Sequence, residues 1–115
     1  MLYLKRNDGD LVRRSIIKTT DYIKMNYAEQ LEREELAAIA DLSTSYFSIM
    51  FKKVTGCTPT QYITQIRLDK AKQLLQHSDK KVSEIAYEVG FQDPLYFARV
   101  FTKHTGIPPR EYRKA

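Results

Sequence analysis

The side chains of this 115-residue chain that could do covalent or metal chemistry are few and scattered. Cys57 follows a glycine that reads as a helix stop, His77 falls in a polar connection, and His104 lies near a predicted helix end. None of the three stands at a spacing that builds a tetrahedral metal site. No phosphate-cradling glycine loop or nucleophile-and-base motif accompanies them. No catalysis, cofactor or resident metal is therefore expected. A single cysteine cannot close an internal disulfide, which fits a reducing compartment.

The chemistry on offer is instead that of fixed positive charge. The net charge is +5, and it is unevenly placed. Residues 1–42 hold seven Lys and Arg against eight Asp and Glu, whereas residues 43–115 hold twelve against six. A basic excess of this kind attracts polyanions, nucleic acid first among them, although an anionic membrane surface would be drawn by the same field. No apolar run approaches the roughly 20 residues that span a bilayer, and the first ten residues lack the apolar core of a signal peptide. The chain therefore reads as cytoplasmic, with no membrane partner. Its 43% hydrophobic and 29% charged residues, with 4 Gly and 4 Pro, are those of a helix-rich globular chain.

The elements that must position this charge are repeated. Phe47, Phe51, Thr55, Gly56, Pro59 and Tyr62 recur as Phe97, Phe101, Thr105, Gly106, Pro109 and Tyr112, each pair 50 positions apart. Leu36, Ala37 and Leu42 recur as Ile85, Ala86 and Phe91 at an offset of 49, so the second copy carries one extra residue in its turn. A unit of about 27 residues present twice is one supersecondary motif used twice.

Read in order, residues 1–10 form a polar tail or the end of a linker, and the domain proper occupies 11–114. A first helix over about 11–27 places Val12, Ile16, Ile23 and Tyr27 at helical spacing behind Asp10 as a cap. Residues 33–40 make a short helix with acids in its first turn, where the helix dipole favours them. Asp41 and Leu42 turn the chain, Ser43 caps the next helix, and that helix runs over 44–55 to the stop at Gly56. Two short helices joined by a tight turn are a helix-turn-helix, here about 33–55. The segment 58–76 carries two apolar stripes and reads as a strut of roughly 28 Å between the copies. A second helix-turn-helix follows over about 82–105, with Gly90 in its turn and Tyr96, Phe97, Val100 and Phe101 as its stripe; Pro108 and Pro109 start a last short helix. The fold expected is all-α, with seven helices.

The run Ile85-Ala86, Val89-Gly90-Phe91, Asp93, Tyr96-Phe97, Arg99, Phe101, Lys103, Gly106, Pro109 and Tyr112-Arg113 closely resembles the AraC/XylS-type DNA-binding domain of bacterial transcription regulators. The likeness covers about residues 11–114. It implies seven helices in two helix-turn-helix subdomains joined by a central linker helix, each presenting its second helix to a successive major groove of double-stranded DNA. A strut of roughly 28 Å is close to the roughly 34 Å of one DNA turn. The resemblance also implies RNA polymerase as a partner, together with a sensor, receiver or dimerisation domain in a longer chain. Two positions depart from the family pattern: Asp41 replaces a turn glycine, and Thr102 stands where lysine is more common.

On the first recognition helix, Phe47, Met50 and Phe51 turn inward, leaving Thr44, Ser45, Ser48 and Ile49 outward with Lys52 and Lys53 at the rim. Serine bonds several bases and isoleucine packs on a thymine methyl, so this face discriminates little. On the second, Pro94, Leu95, Ala98 and Arg99 face out. Arg99 is the one side chain there that can grip guanine O6 and N7 together; its plainer alternatives are a phosphate or the carboxylate of Glu88. Lys52, Lys53, Lys103 and Arg110 are candidate phosphate contacts, set against the reading that each is a solvated surface charge. Tyr22, Tyr27, Tyr62, Tyr96 and Tyr112 fall at apolar helical positions and are expected in the core rather than as base-stacking platforms. The competing function is a helical protein-interaction module that docks RNA polymerase through the acids around Glu32, Glu34 and Glu35, with no DNA readout of its own.

Overall fold

The computed structural model describes residues 2–115, with side chains described from residue 9 onward. Seven helices and no strands are found among the described residues: α1 (Leu2–Asn26), α2 (Arg33–Ile39), α3 (Thr44–Thr55), α4 (Pro59–His77), α5 (Val82–Glu88), α6 (Pro94–Thr105) and α7 (Pro109–Lys114). The chain divides into two units, one of Met1–Asn26 and Leu31–Ile63, the other of Tyr27–Gln30 and Thr64–Ala115.

Helix α1 differs from expectation at its start, since it begins at Leu2 rather than near residue 11. Asn7, Asp8 and Gly9 look like linker residues, but one interior glycine costs a helix only about 1 kcal/mol relative to alanine, and flanking turns can carry it.

The first unit packs Ile16 and Ile23 of α1 with Leu36 and Ala37 of α2, Phe47 and Phe51 of α3, and Ile63 of α4, all buried. Thr19 and Thr20 are buried on α1 as well, and their hydroxyls donate to the carbonyls of Ser15 at 2.9 Å and Ile17 at 2.6 Å. Back-bonding of this kind satisfies a polar group inside a helix without a tertiary partner.

In the second unit Leu68, Ala71 and Leu75 of α4 meet Ile85 and Ala86 of α5, Val89 and Phe91 of the turn, and Phe97 and Phe101 of α6. Tyr27, expected on the first helix, lies just beyond its end and packs half-buried against this second core.

The internal repeat is visible at the level of ring geometry. Phe47 and Phe51 sit 5.5 Å apart at 54°, and Phe97 and Phe101 sit 5.7 Å apart at 53°. Each lower phenylalanine then meets a tyrosine edge-on, Phe51 with Tyr62 at 83° and Phe101 with Tyr112 at 84°.

The helix stops repeat too. Gly56 and Gly106 take φ of 89° and 88°, and their amides bond the carbonyls of Lys52 and Thr102 at 2.8 and 2.7 Å. Left-handed backbone at the position after a helix suits glycine, which has no Cβ to clash.

Candidate nucleic-acid interface

Each helix-turn-helix is closed by the same backbone device. After α2, the Leu42 amide bonds Ala37 O at 3.0 Å and the Asp41 amide bonds Ala38 O at 3.0 Å; after α5, Phe91 bonds Ala86 O at 2.9 Å and Gly90 bonds Tyr87 O at 3.1 Å. This paired pattern ends a helix at a left-handed residue. Asp41 takes that role at φ 58° and Gly90 at φ 111°. Asp41 thus adopts the glycine conformation the sequence assigned to it, as a short polar side chain can.

Helices α3 and α6 start on side-chain caps. Ser43 Oγ accepts from the Tyr46 amide at 3.3 Å, and the Asp93 carboxylate accepts from the Leu95 amide at 3.0 Å. With α3 and α6 fixed at both ends, the residues on their outer faces are set by helical phase alone.

On α3, Ser45, Ile49, Lys52 and Lys53 are exposed, Ile49 to 62%, while Thr44 and Ser48 are half-buried. The Ser48 hydroxyl has no exposed surface and no hydrogen-bond partner, so in this rotamer it points away from a ligand on the outer face. On α6, Arg99 and Lys103 are exposed and Leu95 is 77% exposed, while Pro94 and Ala98 are half-buried. Arg110, on α7, is exposed.

These residues line matching hollows. Ser48, Ile49, Lys52 and Lys53 border a shallow depression of about 420 Å³ on α3. Ala98, Arg99, Thr102 and Lys103, the same positions of the second copy, border one of about 410 Å³ on α6. The Thr102 hydroxyl is turned back onto Ala98 O at 2.7 Å. The α6 hollow therefore presents two cations, Arg99 and Lys103, at its rim. A third concavity of about 420 Å³ gathers Lys81, Ser83, Arg110 and Arg113 in the second unit.

Two expectations about side chains change. Tyr96 is not a core residue: it is 52% exposed on α6, and its counterpart Tyr46 is 45% exposed on α3. Both sit one position before the buried phenylalanine, so the ring reaches the rim of the apolar stripe rather than its centre. The carboxylate of Glu88, considered as a partner for Arg99, is instead paired with the Lys80 ammonium. Arg99 lies over the Tyr96 ring, its Cζ 6.0 Å from the centroid.

Two arginines, Arg67 and Arg113, tie segments of the second unit together through backbone carbonyls. Arg67 on α4 donates from Nε to Tyr27 O at 2.7 Å and from a terminal nitrogen to Glu29 O at 2.8 Å, with its Cζ 5.7 Å from the Phe91 centroid. Its burial lowers the guanidinium pKa from the ordinary value. Arg113 on α7 donates to the carbonyls of Leu75 at 3.0 Å and Lys80 at 2.6 Å, satisfying backbone groups at and beyond the end of α4. Helical phase places Arg67 between Ala71 and Leu74 on an apolar face of α4, which signals its burial but not the carbonyls it bonds.

Among the described residues, no group of three or more His, Cys, Asp and Glu side chains comes together as a metal site, and no helix is long and apolar enough to cross a membrane.

A family model described as a helix-turn-helix domain matches residues 36–115. The chain is 39% identical over 104 residues to the lactose operon transcription activator of Staphylococcus xylosus, which covers 90% of this chain and 37% of that protein. Among solved structures, it matches the DNA-binding domain of AdpA, a global transcriptional factor in complex with a target DNA, at a TM-score of 0.83 and 31% identity, over 86% of this chain and 89% of that one. It also matches the C-terminal domain of the two-component response regulator yesN from Fusobacterium nucleatum at a TM-score of 0.79 and 41% identity, over 83% and 93% of the two chains.

Proposed function

Because this chain belongs to the AraC-type helix-turn-helix family of transcription regulators, we propose that it binds double-stranded DNA sequence-specifically, laying α3 and α6 each into a major groove. The observation that carries this reading is the pair of matching hollows on the outer faces of α3 and α6, each bordered by exposed lysine, on helices capped alike at both ends.

The division of labour follows from chemistry. On α6, Arg99 grips guanine through two hydrogen bonds and supplies most of the discrimination. On α3, Ser45 and Ile49 offer a hydroxyl and a methyl-packing surface, with Thr44 and Ser48 behind them. Pro94, Leu95 and Ala98 give α6 apolar surface against thymine methyls or sugar. Lys52, Lys53, Lys103 and Arg110 hold phosphates and fix the register.

The chain spans 37% of the length of its Staphylococcus relative and 30% of a regulatory protein of the MmsAB operon from Pseudomonas aeruginosa. A sensor, receiver or dimerisation domain in a longer protein, and RNA polymerase, are further partners we assign on this basis, in a cytoplasmic setting and without a catalytic role.

The test is duplex binding against salt. A groove-binding domain that neutralises several phosphates loses affinity steeply between about 50 and 200 mM salt. An adaptor that contacts only protein shows no duplex binding even at the lower concentration.

A further inference from the structure

We propose that Tyr96 is a positioning residue for Arg99: its ring holds the guanidinium in the orientation that reads one base pair, an assignment that rests on the DNA-binding role given above.

The Tyr96 ring is 52% exposed on α6 and packs beside the buried Phe91. The Arg99 guanidinium, about one helical turn along α6, lies over this ring with its Cζ 6.0 Å from the centroid. Positions three apart on a helix are neighbours, so the two side chains meet without backbone adjustment. A cation over an aromatic face is attracted by the ring quadrupole within about 6 Å, and the attraction grows as water is removed.

The ring itself is backed by a fixed support. Tyr96 leans on Phe91 at 6.2 Å and 54°, and Phe91 is 6% exposed and in contact with Phe97 at 5.2 Å. The Arg67 guanidinium stacks near Phe91 at 5.7 Å while it donates to Tyr27 O and Glu29 O. Gln30 Nε2 donates to Gly90 O at 3.2 Å, tying down the turn on which Phe91 sits. Arg67, Phe91, Tyr96 and Arg99 thus form a file of two adjacent rings with a guanidinium at each end, anchored in the core at Arg67 and open to a ligand at Arg99.

An unheld arginine would have to give up several rotatable bonds to grip guanine; a pre-placed one gives up fewer. The first unit lacks this arrangement. Tyr46 occupies the matching site, but position 49 is isoleucine and offers no cation.

The experiment begins with selection of the preferred duplex from a random pool, followed by measurement of Kd for that duplex and for one altered at the base pair whose preference Arg99→Ala abolishes. The ratio of the two is the readout. Tyr96→Phe should keep the ratio within about twofold, whereas Tyr96→Leu should lower it about two- to fivefold. In an Arg99→Ala background, Tyr96→Leu should leave Kd for the preferred duplex within about twofold. Tyr96→Met is a second variant that fills the same space over Phe91 without a π face, should the leucine variant fold poorly by thermal unfolding. The proposal is overturned by an unchanged ratio in Tyr96→Leu and Tyr96→Met, by an equal loss in Tyr96→Phe, which would point to the hydroxyl, or by a larger loss of affinity in the Arg99→Ala background, which would make Tyr96 a direct contact. A wild-type chain with no preference among duplexes would remove the DNA-reading role itself, and the proposal with it.

Discussion

A Cβ on Gly90 would stand 2.7 Å from Nε of Arg67. It would also meet Ala28 Cα at 3.0 Å, and the residue sits at φ +111°, so substitution meets both backbone strain and a blocked space. Gly90→Ala should therefore destabilise the chain by about 2–4 kcal/mol. Gly106→Ala, at φ +88° with nothing within 4 Å of the added carbon, should cost only about 1 kcal/mol. Denaturant unfolding of the two variants side by side checks the difference; equal losses would mean that the Arg67 contact is irrelevant.

Asp41 holds the corresponding left-handed position in the first unit at φ 58°. Asp41→Gly should lose no stability and gain up to about 1 kcal/mol, because glycine occupies that region without strain. A fall in the unfolding midpoint would show that the aspartate makes a contribution beyond backbone conformation.

Phe101 packs between Phe97 at 5.7 Å and Tyr112 at 5.3 Å and is fully buried. Phe101→Ala should cost about 3–5 kcal/mol. Its counterpart Phe51→Ala should do the same in the first unit, since the ring geometry is shared. Chemical denaturation reads both values.

Arg99→Ala should weaken binding to the preferred duplex by about 1–3 kcal/mol and relax the preference at one base pair. Loss of the same size on every sequence would place Arg99 on a phosphate instead.

Lys103→Ala should reduce the dependence of log affinity on log salt by about one unit and weaken all duplexes alike. An unchanged salt slope would leave Lys103 as a solvated surface charge.

The periodicity of apolar residues and the punctuation by Ser43, Gly56, Asp93 and Gly106 made α3 and α6 legible to the residue, because caps and left-handed stops are local chemistry. The strut came within a residue at each end, Thr58 serving as the cap of α4: its hydroxyl accepts from the Gln61 amide at 3.1 Å. The start of α1 was not legible, since weak helix formers such as Asn7 and Gly9 set a preference rather than a boundary. Nor were the roles of Arg67 and Arg113, whose partners are carbonyls 40 and 33 positions away, at Tyr27 and Lys80. Backbone acceptors leave no trace in a sequence. On the interface, the outward phase of Ser45, Ile49, Leu95 and Arg99 followed from helical spacing, and the rim position of Tyr96 was open to the same argument, whereas the inward turn of the Ser48 hydroxyl depends on its rotamer.

The caps of α3 and α6 lie at their ends, and their buried phenylalanines lie on one flank, so no structural duty falls on positions 45, 49, 95 and 99. Exchanging those four side chains should therefore leave the melting behaviour as it was, so that, on the DNA-reading role proposed above, the scaffold could drift to a new operator without first losing its fold.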